Sequence, residues 1–170
     1  MYRSELINQR AMNIIVGMAD MQVMDDPKVT LITYSLGSCI GVTLYDPSAR
    51  VGGLLHFMLP DSQIDVQKAK KNPWMFADTG LPLFFSEACK LGVEKGRMQV
   101  KTAGGSQMID ESGFFNIGAR NHMALRTLLR MQEISVDGED IGGPLNRTLS
   151  IDLSSGKVWV KISGDGIREL

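Results

Sequence analysis

The chain has 170 residues, 44% of them hydrophobic, which suffices for one domain with a substantial core and falls short of two ordinary ones. A formal net charge of −1 leaves no electrostatic footprint for nucleic acid or for an anionic membrane surface. No apolar run approaches the length of a membrane span, residues 1–21 lack the apolar segment of a secretory leader, and two cysteines make no disulfide framework, so the expectation is a protein of the reducing cytoplasm with no direct membrane insertion.

In chain order, residues 1–10 are polar and read as mobile or as a short docked helix; the domain expected is a single one over 1–170, with about 1–12 as a mobile N-terminal segment. Ile14–Met24 and Val29–Tyr34 read as strands separated by the turn Asp25-Asp26-Pro27. Two further apolar runs, Ile40–Tyr45 and Leu54–Leu59, flank the polar bend Asp46–Arg50. Strands this close together predict a mainly antiparallel sheet. The polar stretch 61–73 reads as a surface loop. A helix is predicted from about Asp78, with Pro82 in its first turn, Leu83, Phe84, Glu87, Ala88 and Leu91 at helical spacing, Gly92 as its stop, and Cys89 within it as a small buried thiol. Arg97–Thr102 reads as a strand feeding Ala103-Gly104-Gly105-Ser106, where the glycines allow a turn or a close approach. There is no GxxxxGK[ST] segment and hence no phosphate-cradling loop of that type. Phe114-Phe115-Asn116 leads to a helix from about Gly118 to Met131, with Leu125, Leu128 and Leu129 on its apolar face and Asn116 or Asn121 near its start. Ile134–Val136 reads as a short strand and Asp140–Pro144 as a break. Alternation of Leu149, Ile151 and Leu153, then of Val158, Val160 and Ile162 across the turn Ser154-Ser155-Gly156, marks a hairpin with one apolar face. The architecture expected is α+β: a layered α/β sandwich with largely antiparallel or mixed sheets and flanking helices.

Cys39 follows a Leu-Gly-Ser turn at the mouth of one apolar run, and His56 lies inside the next. If the two runs pair, thiol and imidazole meet, and an imidazole beside a sulfur can hold it as a thiolate nucleophile. Glycine permits unusual turns, so backbone amides around Gly37, Ser38 and Cys39 are candidates to face an oxyanion. A buried strand cysteine and a core histidine satisfied by a carbonyl are the plainer readings of the same residues. The imidazole needs an orienting group, and Thr33 offers its hydroxyl or its carbonyl; alone, a threonine in a strand is simply a strand former. His122 reads as surface or helix-end packing. Cys39, His56, Cys89 and His122 lack the close ligand pairs of a zinc site.

The segment LGSCIGVTLYDP followed by GGLLHFMLP, with AGGSQM, FNIGARN and GGPLNRT further on, resembles the CheD family of chemoreceptor glutamine deamidases over about residues 14–162. The resemblance implies a Thr–Cys–His triad, which falls on Thr33, Cys39 and His56, and a sandwich similar to that of the cytotoxic necrotizing factor deamidases. It implies conversion of glutamines on the cytoplasmic helical domain of chemoreceptors to glutamate through a thioester, with hydrolysis of glutamyl methyl esters in some members. It also implies no metal or organic cofactor, and binding to a CheC-type phosphatase. Ser106-Gln107-Met108-Ile109 departs from the pattern after the double glycine, which bears on substrate and partner choice. An interaction module that regulates a phosphatase or receptor without turnover, and a cysteine hydrolase of other substrates, are the competing classes.

Overall fold

The structure is a computed structural model that describes residues 12–107 and 116–170. The readings of residues 1–10 and of Phe114-Phe115 lie outside that range.

Among the described residues, ten strands form two five-stranded sheets. The strands are β1 (Met12–Ile15), β2 (Asp20–Met24), β3 (Val29–Leu36), β4 (Ile40–Asp46), β5 (Val51–Phe57), β6 (Gln99–Gly104), β7 (Gly138–Ile141), β8 (Arg147–Asp152), β9 (Val158–Ile162) and β10 (Gly166–Glu169). The first sheet runs β1-β3-β8-β9-β10 and the second β2-β5-β4-β6-β7. The β1–β3 and β6–β7 pairs are parallel and the others antiparallel, so both sheets are mixed. The α-helices among the described residues are α1 (Val66–Lys71), α2 (Ala77–Lys90) and α3 (Ile117–Met131). The expectation of an α+β layering with mixed sheets and flanking helices holds at that level.

Period-2 alternation sorts the side chains of each strand between two cores. Leu31 of β3, Leu149 and Ile151 of β8, Val160 of β9, Tyr45 of β4 and Leu54 of β5 meet between the sheets. Ile40, Val42 and Leu44 of β4 and Leu55 and Phe57 of β5 face the other way, onto Leu81, Phe84 and Ala88 of α2 and Leu125 and Leu129 of α3. The second sheet is therefore covered on both faces, and every residue of β4 and β5 is buried. A fully buried Leu or Phe stabilises by roughly 1.5–3 kcal/mol, against about 1 kcal/mol or less for an exposed ion pair, so the apolar layers hold the frame. At the far end of β4, Asp46 pins the β4–β5 turn. Its carboxylate accepts from the amides of Ser48 (2.9 Å), Ala49 (3.1 Å) and Glu94 (3.0 Å) and from Arg97 Nη2 (2.9 Å). Burial alone would raise this carboxyl, but those donors outweigh it and hold it well below the usual carboxylate range.

Several sequence expectations need correction. The run 14–24 is two strands in different sheets, broken where Ala19 takes a left-handed φ of 53°. The stretch 61–73 is not a plain loop: a 3₁₀ turn at Ser62–Ile64 precedes α1, whose cap Asp65 accepts from Lys68 N at 3.0 Å. Pro82 sits inside α2 rather than in its first turn, and Leu81 and Phe85 rather than Leu83 and Leu91 are buried. Cys89 is exposed, not a buried thiol. Ile134–Val136 is not a strand; β7 (Gly138–Ile141) begins after it and runs into the segment expected to break the chain. The strands read as one sheet divide between two, because alternation marks which face is apolar and not which sheet a strand joins.

Candidate active site

The turn Gly37-Ser38-Cys39 carries the chain from β3 in one sheet to β4 in the other. A bulge between Thr33 and Leu36, with Ser35 at a φ of 58°, re-aims the backbone just before it. Cys39 is half-buried and packs against the core between the sheets. In the β4–β5 ladder Gly41 lies opposite His56, so Cys39, two residues earlier on the same face, is the diagonal neighbour of the imidazole. His56 alternates with Phe57 and so points to the inter-sheet side, where it is fully buried.

Thr33 reaches it from the opposite sheet. The Thr33 Oγ1–His56 Nδ1 hydrogen bond is 2.7 Å long, and both side chains are completely buried. His56 Nε2 has no hydrogen-bond partner among the described residues. Thus one ring nitrogen is fixed across the sandwich and the other is without a partner among the described residues. Burial pushes the His56 imidazole down to about 4 and pushes the Cys39 thiol above its ordinary value, against a smaller opposing pull from the Cys39 amide. Burial thus favours the neutral form of each group at neutral pH.

The turn itself is held by backbone bonds. Gly37 N–H donates to Ser35 O (2.9 Å), which occupies one of the amides considered for an oxyanion. Gly105 N–H donates to Cys39 O and Ser106 N–H to Gly37 O, each at 2.8 Å. Gly104, at a φ of 118°, allows this approach, because a Cβ there would stand 2.2 Å from Cys39 O. Behind the loop lies a buried network: Ser106 Oγ accepts from Arg147 Nη1 (2.8 Å), and Arg147 Nε donates to Asp140 Oδ1 (2.8 Å). Asn121 of α3 donates from Nδ2 to both Ser38 O (2.9 Å) and Met58 O (2.8 Å). These supports were not assigned from sequence. The double glycine signalled a close approach, and what it approaches is set by tertiary pairing. His122 lies on α3 with Nε2 3.5 Å from Glu139 Oε2, apart from this cluster.

Where the two-sheet sandwich passes from one layer to the other, Thr33 bonds His56 and Cys39 is its diagonal neighbour in the ladder; a thiol, an imidazole and a hydroxyl are groups that cysteine-dependent acyl transfer uses. Residues 58–162 match the family described as CheD chemotactic sensory transduction. The chain is 48% identical over 158 residues to a probable chemoreceptor glutamine deamidase CheD 1 of Syntrophus aciditrophicus, covering 93% of this chain and 99% of that one. It is 46% identical over 151 residues to a probable chemoreceptor glutamine deamidase CheD of Solibacter usitatus, covering 89% of each. The chain belongs to the CheD family. Among solved structures, a Neisseria meningitidis protein of the DUF152 family overlaps it with a TM-score of 0.42 at 13% identity, over 76% of this chain and 62% of that one.

Proposed function

We propose that this chain is a chemoreceptor glutamine deamidase in which Cys39 is the nucleophile, His56 the general base and acid, and Thr33 the residue that orients His56. The observation that supports this reading is the 2.7 Å Thr33–His56 bond, with Nε2 unpartnered among the described residues and Cys39 the diagonal neighbour of His56 in the β4–β5 ladder. With Nδ1–H donated to Thr33 Oγ1, Nε2 presents its lone pair. It takes the thiol proton as Sγ bonds to the carboxamide carbon of a glutamine side chain. The tetrahedral oxyanion collapses as the imidazolium returns that proton to nitrogen, and ammonia leaves. Water, deprotonated by His56, then attacks the thioester, and glutamate and the free thiol are restored. A methyl ester passes through the same acyl-enzyme with methanol as the leaving group, so glutamyl methyl ester hydrolysis belongs to the same reading. The relatives' names supply the substrate class, glutamines of chemoreceptors. The site of action is then the cytoplasm, with a sandwich akin to that of the cytotoxic necrotizing factor deamidases and a CheC-type phosphatase as a binding partner. None of these steps calls for a metal or organic cofactor.

Mass spectrometry of receptor cytoplasmic fragments tests it. Each converted glutamine gains about one dalton as NH2 becomes OH, and the gain is expected with the unaltered protein and not with Cys39→Ala. Equal conversion by Cys39→Ala overturns the assignment. Receptor binding that survives Cys39→Ala, with no ammonia released by either form, establishes the regulator reading in its place.

A further inference from the structure

We propose that Asn121 is a positioning residue for acyl transfer: by holding the Ser38 carbonyl on the α3 side, it turns the Cys39 amide N–H toward the sulfur, where the oxyanion forms. This rests on the cysteine acyl-transfer reading of the site, and not on receptor glutamine being the substrate.

Asn121 is completely buried, and its two amide protons go to Ser38 O and Met58 O at 2.9 and 2.8 Å. Those carbonyls belong to the turn that carries Cys39 and to the residue that follows the His56 strand. One amide therefore ties the nucleophile segment to the base segment. Its own Oδ1 has no partner among the described residues. A buried amide whose oxygen is unsatisfied is disfavoured against an apolar side chain of the same volume, so its donations are what distinguish it at this position.

The geometry of a peptide unit supplies the link to chemistry. The Ser38–Cys39 bond is trans, as are all those described, and a planar trans peptide sets C=O and N–H in opposite directions. With Ser38 O drawn toward α3, Cys39 N–H is directed away from the helix, on the residue that carries the sulfur. The neighbouring backbone groups are already committed: Gly37 N–H to Ser35, Gly37 O to Ser106 and Cys39 O to Gly105. The Cys39 amide makes no main-chain bond among the described residues. It is a donor with a fixed direction beside the attacking atom, which is what an oxyanion site requires. Gly118 brings the helix close enough to do this, since a Cβ there would stand 2.5 Å from the carbonyl oxygens of both Gly105 and Ser106.

Two reactions at Cys39 separate positioning from general structure. Acylation by p-nitrophenyl acetate forms an Sγ–C bond through a tetrahedral oxyanion and expels p-nitrophenolate. Alkylation by iodoacetamide displaces iodide at a saturated carbon and forms no oxyanion. Both are measured in a Cys89→Ser background, because Cys89 is exposed and would also react. Asn121→Leu keeps the volume and removes the donors; Asn121→Ala serves as the second variant, and thermal melting establishes that each is folded. The expected result is acylation slowed about tenfold or more, toward the 10²–10³ lost with a whole oxyanion donor, while alkylation stays within about twofold. Acylation within about twofold of the parent overturns the proposal. So does an equal fall in both reactions, or failure of both variants to fold, since Asn121 is then structural alone. If the parent is acylated normally yet leaves receptor glutamines unchanged, the deamidase reading fails and this one stands.

Discussion

At the scale of single residues, the environment of Cys39 and His56 decides which form of the pair is at rest. Burial disfavours charge on both, lowering the imidazole to about 4 and raising the thiol, and no neighbouring charge among the described residues compensates either. Thr33 adds a neutral hydrogen bond, which orients the ring without favouring the imidazolium as a carboxylate would. The expected consequence is a pH profile for alkylation of Cys39 whose midpoint lies above the ordinary thiol value of about 8.5. It should carry no second, lower limb from an ion pair with His56. Iodoacetamide rates across pH 5–10 in a Cys89→Ser background measure this. A midpoint below about 7, lost on His56→Ala, shows instead a resting thiolate held by imidazolium. The cysteine and histidine were legible as a candidate pair because polar groups inside apolar runs stand out. Their resting charge was not legible, since it depends on how deeply two sheets bury them.

At the scale of elements, the site stands on three short pieces of chain that meet backbone to backbone: the β3–β4 turn, the loop after β6, and the first turn of α3. Asn116 caps that helix, accepting from Ala119 N at 3.2 Å, and Gly118 in the same first turn touches the loop. Gly118→Ala must part helix from loop, because its neighbours at 2.5 Å are carbonyl oxygens of the main chain and not flexible side-chain ends. We expect a loss of roughly 1–3 kcal/mol of stability by urea unfolding. The exposed Met123→Ala on the same helix is expected to stay within about 0.5 kcal/mol. A Gly118→Ala protein as stable as the parent removes this contact from the frame of the site. The helix itself was legible from the spacing of Leu125, Leu128 and Leu129, and the β8–β9 hairpin from its alternation. The short or turn-broken pieces were not: β1 and β2 separate at Ala19, a residue with no left-handed signature, and β10 is exposed throughout and shows no apolar face. Sheet membership was hidden for a further reason. The Cys turn changes sheets, and nothing in local periodicity records a change of layer.

At the scale of the whole molecule, enclosing a titratable base between two sheets couples the site to folding. His56 ordinarily titrates at 6.5 and is held at about 4 here, so between those values the unfolded chain binds a proton that the folded chain refuses. Its contribution is complete above the unfolded value and is lost as pH falls from about 6.5 toward about 4. From pH 7 to pH 5 the loss amounts to about 2 kcal/mol, a sizeable share of a typical folding free energy of 5–15 kcal/mol. The carboxylates held low by hydrogen bonds, Asp46 and Asp152 among them, act in the same direction but only as pH falls below the unfolded carboxylate values, which leaves the window from 7 to 5 mainly to the imidazole. Urea unfolding at pH 7 and pH 5 should therefore show the parent losing about 2 kcal/mol, while His56→Gln, which cannot titrate, loses well under half of that. If the variant keeps the full pH dependence, protonation elsewhere accounts for it, and His56 is not held neutral by its burial. If the variant loses well under half as expected, the enclosure that leaves Nε2 without a partner is the same one that makes the fold acid-sensitive, because both follow from placing an imidazole where charge is disfavoured.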